Sequence, residues 1–154
     1  LLTEEEINRL DRELDDFERK TDGILEALKV IQNSRGWISD DSVNELAVYL
    51  GASAEEVEAI ATFYPMIYRK PVGRHIIHVC DSIVCWIMGY EGIYSRLQEL
   101  LGIKPGETTA DGRFTLLPTC CLGACAGAPA LLIDSRLHRD VTVRNIDEIL
   151  GRYE

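Results

Sequence analysis

HVCDSIVCWIMG (residues 78–89) and PTCCLGACAGAP (residues 118–129) between them hold all five cysteines of this 154-residue chain. Written as spacing, Cys80 and Cys85 form C-x4-C, 35 residues intervene, and Cys121 and Cys125 form C-x3-C beside an adjacent Cys120. Two close pairs of soft thiolates, brought together by a fold, make a metal site. The residues leading into the first pair, His75 to Val79, are rich in β-branched side chains and read as a strand ending at Cys80. Phe114 to Leu117 reads as a second strand, stopped by Pro118 just before the second pair. Both pairs are thus expected in loops at strand ends.

The rest of this half fits the same plan. Gly89 to Leu101 reads as a helix with Ile93, Leu97 and Leu100 on one face. Lys104-Pro105-Gly106 and Asp111-Gly112 are turn signals. Ala130 to Asp134 is a short apolar strand, Leu137 to Val141 a weaker one, and Asn145 to Tyr153 a terminal helix with Ile146, Ile149 and Leu150 inward. Strands interleaved with helices imply a small mixed sheet with helices packed on it.

The first 70 residues have a different texture. Thr3 with Glu6 is a capping box, in which the hydroxyl accepts the N3 amide and the carboxylate reaches back. Ile7, Leu10, Leu14 and Phe17 follow at helical spacing among charged residues. A second helix carries Ile24, Leu25, Leu28 and Ile31 and stops at Gly36. A third runs from about Asp41 to Leu50, closed by Gly51. Ser53 and Glu56 cap a fourth, which ends before Pro65. The loops are short, so this region is expected to form a small antiparallel array. Lys70-Pro71-Val72-Gly73 marks the change. The expected class is α+β: a small helical bundle over 1–70, then an α/β domain with a mixed sheet over 71–154.

Composition narrows the function. The net charge of −10 disfavours nucleic acid and anionic membrane as partners. The apolar runs are too short to span a bilayer. An odd cysteine count argues against a pure disulfide framework. With no charged-then-apolar leader at Leu1, a reducing compartment is expected, where paired cysteines mean metal or redox chemistry.

Zinc is compatible with the cysteine spacing, since structural sites use cysteines two to four residues apart. Two features favour iron–sulfur. C-x4-C occurs in plant-type [2Fe–2S] sites, there joined to a third cysteine by C-x2-C. The small-residue loop Leu122 to Ala128 exposes amides that can donate to negatively charged sulfurs. A thioredoxin-type dithiol needs C-x-x-C, which no pair here has. Cys120 and Cys121 are not separated by spacing; adjacent extended residues face opposite sides, so one is expected at the metal and the other packed as a small hydrophobe. His75, His78 and His138 are read as structural, and Trp86 and Met88 as a shield. No nucleotide loop and no nucleophile–base pair is evident. Electron transfer is the economical reading, and a one-cluster carrier implies a partner.

At RGWISDDSVNELAVYLG (35–51), EAIATFYPMIYRKPVGRH (58–75), CDSIVC (80–85) and GETTADGRFTLLPTCCLGAC (106–125) the chain resembles a known family. This is the family of the E subunit of bacterial NADH:quinone oxidoreductase (respiratory complex I), thioredoxin-like [2Fe–2S] ferredoxins. The resemblance covers nearly the whole chain. It implies a thioredoxin-like second domain, and a cluster on Cys80, Cys85, Cys121 and Cys125, since the family's C-L-G-x-C begins at Cys121. It implies that the helical region docks on a flavin- and NADH-binding subunit, that the cluster exchanges electrons with that subunit's FMN, and that the large iron–sulfur subunit is a further neighbour. It places the chain in the peripheral arm of a proton-translocating complex, on the cytoplasmic side of the inner membrane, with no catalytic residue of its own. The resemblance is weakest over 135–148, where Val141-Thr142-Val143-Arg144 replaces an LTP-like helix start. Related diaphorase modules of NAD-linked hydrogenases or formate dehydrogenases are the alternative setting; a zinc-stabilised binding module is the alternative from another class.

Overall fold

The computed structural model describes residues 1–153 and divides into two compact units, Leu1–Pro71 and Val72–Glu154. The first is all helix: α1 (Glu4–Glu13), α2 (Ile24–Arg35), α3 (Asp40–Leu50) and α4 (Ala54–Phe63). Both expected capping boxes form, Thr3 with Glu6 and Ser53 with Glu56. Gly36 and Gly51 close α2 and α3 with φ of 85° and 70°, a region that a Cβ disfavours. Leu10, Leu28, Ile31, Ile38, Leu46 and Val57 are wholly buried and form the core of this unit.

A charged group sits in that core. Glu6 is 3% exposed. Arg35 grips its two carboxylate oxygens from Nε and Nη2 at 2.8 and 2.9 Å, and Nη2 also reaches Glu45 at 2.9 Å. Charged hydrogen bonds of this forked kind are among the stronger ones. The Arg35 guanidinium, helped by the Thr3 amide and the Ser34 hydroxyl, holds the Glu6 carboxyl down at about 2. The chain after α4 is tied back to the bundle. Gln32 accepts from the Tyr68 amide at 2.7 Å and donates to the Met66 carbonyl at 2.8 Å, while Arg69 bonds Glu58, Asp40 and the Ile38 carbonyl.

The second unit is a four-stranded mixed sheet in the order β2-β1-β3-β4, with β1 (His75–Cys80), β2 (Phe114–Thr119), β3 (Leu131–Ile133) and β4 (Arg136–His138). β1 runs parallel to β2 and antiparallel to β3, which pairs antiparallel with β4. The parallel pair is connected through α5 (Ile83–Ile87) and α6 (Tyr90–Leu101); α7 (Ile146–Leu150) follows β4. Ile77, Leu97, Leu116, Leu131, Ile133 and Ile146 form the buried centre.

Two local expectations change. Pro118 does not stop β2; it lies within the strand, opposite Val79. β2 is an edge strand, where a residue without an N–H can sit with its nitrogen outward. Cys85 lies in the short helix α5 rather than in a loop. Only five residues long, that helix is below the length at which periodicity is informative.

Candidate metal centre

β1 and β2 run side by side and end together, with Cys80 paired to Thr119. The parallel register therefore delivers both cysteine-bearing segments to the same end of the sheet. Cys80 is the last residue of β1, and α5 turns back at once to present Cys85. Cys80 and Cys85 are buried, at 2% and 3% exposure, among Ala124, Ala128, Ala130, Val84, Leu122 and Tyr90. Cys121 and Cys125 lie beyond the end of β2 and are exposed, with sulfurs 3.9 Å apart. That is close to the about 3.8 Å edge of a tetrahedron with metal–sulfur bonds of about 2.3 Å.

The surrounding backbone is aimed at these sulfurs. The Gly123 amide donates to Cys121 Sγ at 3.3 Å, which the left-handed φ of 71° at Gly123 permits. Ala130 serves the buried pair twice: its carbonyl accepts from the Cys80 amide at 3.3 Å, and its N–H favours the Cys85 thiolate. Ala130 is reached through a cis Ala128–Pro129 bond. Burial pushes the Cys85 thiol up, and Cys80 and Cys125 add to that as neighbouring thiols. Cys125 is pushed up by its hydrogen bond to Cys121 and by the negative charge of Cys121 and Cys80. Cys85 and Cys125 thus resist ionising beside the other thiols, and a cationic centre among them would reverse that by stabilising thiolates.

Among the described residues no three His, Cys, Asp or Glu side chains converge as a cage for one metal ion. The four thiols stand instead as two pairs. A binuclear cluster takes two thiolates on each iron. Thiol donors, amides on the sulfurs and an apolar wall suit that group.

The remaining candidates stand apart from this set. Cys120 is exposed, not packed as a small hydrophobe, because the strand ends at the buried Thr119 and the next residues turn outward. Trp86 and Met88 are more than half exposed; the partly buried side chains packed against the buried cysteine pair and its alanines are Val84, Leu122, Tyr90 and Leu137. His78 is buried and held neutral, its pKa pushed down to about 4 by burial. His75 bonds Asp134 at 2.8 Å and His138 bonds the Tyr153 hydroxyl at 2.7 Å, both structural uses. The double role of Ala130 carries no signal in the sequence, since backbone donors are the same for almost every residue type.

The chain belongs to the thioredoxin-like [2Fe–2S] ferredoxin family, whose model matches residues 10–154. It is 48% identical over 99% of its length to the NADH-quinone oxidoreductase E subunit of Escherichia coli K12, covering 92% of that protein. The corresponding protein of Pseudomonas aeruginosa matches at 48% identity over the same shares. Among solved structures, an NAD+-reducing [NiFe]-hydrogenase in the H2-reduced state matches 88% of the chain with a TM-score of 0.72 and 29% identity. The chain spans 23% of the hydrogenase chain it matches. No helix among the described residues is long and apolar enough to cross a membrane.

Proposed function

We propose that Cys80, Cys85, Cys121 and Cys125 hold one [2Fe–2S] cluster and that the chain is an electron-transfer subunit of a proton-translocating NADH:quinone oxidoreductase. The observation that carries this is the delivery of two thiol pairs to one end of the sheet by the parallel β1–β2 register, in a chain similar over its full length to the E subunits of such enzymes. When bound, the cluster takes up and releases one electron at low potential, of order −0.3 to −0.4 V by analogy with plant-type sites.

The chain's own residues supply the rest. The buried pair anchors one side of the site away from water, and the Gly123 and Ala130 amides stabilise negative charge on sulfur. The exposed Cys121 and Cys125 leave the other side open to a redox partner. In this reading the partner is the NADH-binding subunit with its FMN, the helical unit (1–70) docks on it, and the large iron–sulfur subunit lies nearby. NADH oxidation takes place on the partner, and the chain has no complete active site of its own. The assembly is the peripheral arm on the cytoplasmic side of the inner membrane.

A second setting, the diaphorase module of an NAD-linked hydrogenase or formate dehydrogenase, has the hydrogenase likeness in its favour at lower identity. Metal analysis with reduction by NADH tests the proposal. About two irons and two sulfides per chain, with a paramagnetic signal that NADH elicits only when the flavin-bearing partner is present, are expected. A colourless chain carrying one zinc overturns it.

A further inference from the structure

The cluster loop is held from one side by a turn that none of the four cysteines belongs to. Residues 140–145 connect β4 to α7, and their amides reach across to the loop. Asp140 donates its N–H to the Gly127 carbonyl at 2.7 Å, and Val141 donates to the Pro129 carbonyl at 3.1 Å. The segment they grip, 127–130, starts two residues after Cys125 and ends at Ala130, whose carbonyl accepts from the Cys80 amide. A displacement of 127–130 therefore reaches both thiol pairs at once: Cys125 through the chain and Cys80 through Ala130.

The turn itself is closed by the side chains of Asn145 and Thr142. Asn145 Oδ1 accepts from the Thr142 amide at 2.7 Å, and the Asn145 backbone amide donates to Thr142 Oγ1 at 3.2 Å, a reciprocal pair of capping-box type. Asn145 Nδ2 donates to the Asp140 carbonyl at 3.2 Å. Asp140 needs that restraint, since it is one of two non-glycine residues held at positive φ (49°) among the described residues. The fit on the other side is tight as well: a Cβ at Gly127 would lie 2.8 Å from Arg139 Cβ, closer than such atoms approach.

Resting on the [2Fe–2S] reading above, we propose that Asn145 is a positioning residue for the cluster, acting through Asp140 and Val141 on the 127–130 segment. It touches no thiol. Its effect is to fix where the Cys125 arm and the Ala130 amide stand relative to the buried pair, and so the spectroscopic signature and the lability of the cluster. Outer partners that orient metal ligands change metal affinity about 10–100-fold when removed.

The full chain with its cluster is compared as wild type, Asn145→Ala, Asn145→Asp and Gly127→Ala. Asn145→Asp keeps the acceptor for Thr142 and loses the donor to Asp140, so it retains the capped turn. Gly127→Ala perturbs the same contact from the opposite side. The readouts are the g-values of the dithionite-reduced chain, its midpoint potential, and the rate of iron loss to a ferrous chelator. In all three variants displaced g-values and about tenfold faster iron loss are expected, with the helical circular dichroism of the wild type preserved. Wild-type g-values, potential and iron-loss rate in Asn145→Asp and Gly127→Ala overturn the assignment. A wild-type chain without two irons and two sulfides overturns the underlying cluster reading instead, so the two failures are distinct.

Discussion

Replacing Glu6 by Gln removes one charge from the core of the helical unit and leaves its shape almost unchanged. Glu6 is held at about 2 against an ordinary 4.5, and the Arg35 guanidinium is the main cause. At 1.36 kcal/mol per tenfold change in acidity, that difference amounts to about 3 kcal/mol of stability tied to the ionised form. The side chain is 4% exposed, so water screens little of it. Gln still accepts from the Thr3 amide, and Arg35 keeps Glu45, so no buried charge is orphaned. The expected loss at pH 7 is therefore about 2–3 kcal/mol, below the roughly 3–5 kcal/mol typical when one partner of a fully buried pair is deleted. The sign of the pH dependence follows from the depressed folded value. The contribution is complete above about pH 4.5 and is lost as pH falls towards 2. Urea unfolding followed by circular dichroism at about 222 nm measures it, at pH 7 and at steps down to about pH 3, a range that spans most of the titration. The gap between wild type and Glu6→Gln should narrow as the pH drops. A gap at pH 7 under about 0.5 kcal/mol, a size typical of surface pairs, or one that does not narrow in acid, would refute the reasoning.

Further outcomes concern the site and the backbone. Ala at Cys80, Cys85, Cys121 or Cys125 should abolish the paramagnetic signal of the reduced chain, while Cys120→Ala should keep it; a normal signal from Cys121→Ala would count against the ligand assignment. Tyr153→Phe leaves His138 Nε2 buried without its 2.7 Å partner and should cost about 1–3 kcal/mol in urea unfolding. Gly51→Ala places a Cβ at φ 70° with open space around it, so the cost should be conformational alone, about 1 kcal/mol in the same assay.

The helical unit is legible in the sequence because its signals are local. A capping box needs only two residues three apart, and Gly36 and Gly51 mark helix ends through their own φ preference. Pro118 misleads because its tolerance depends on β2 being an edge strand, a property of strand order and not of the residue. Cys85 reads as a loop residue because α5 is too short to display a period. Cys120 is expected inside and lies outside, since alternation says that neighbours differ in direction without saying which is buried.

The sequence by itself determined the class of the two units, the caps that bound the first, and the thiol chemistry of the second, all of which depend on residue type and short spacing. Tertiary structure decided what that chemistry has to work with. The parallel register of β1 and β2 puts Cys80 and the Cys121–Cys125 loop at one sheet end, and burial makes one pair sheltered and the other open. The backbone of Ala130 serves two cysteines, and a turn further along the chain grips the segment that contains it. Such contacts are made by amides and carbonyls, which nearly every residue carries alike, so only the path of the folded chain reveals them.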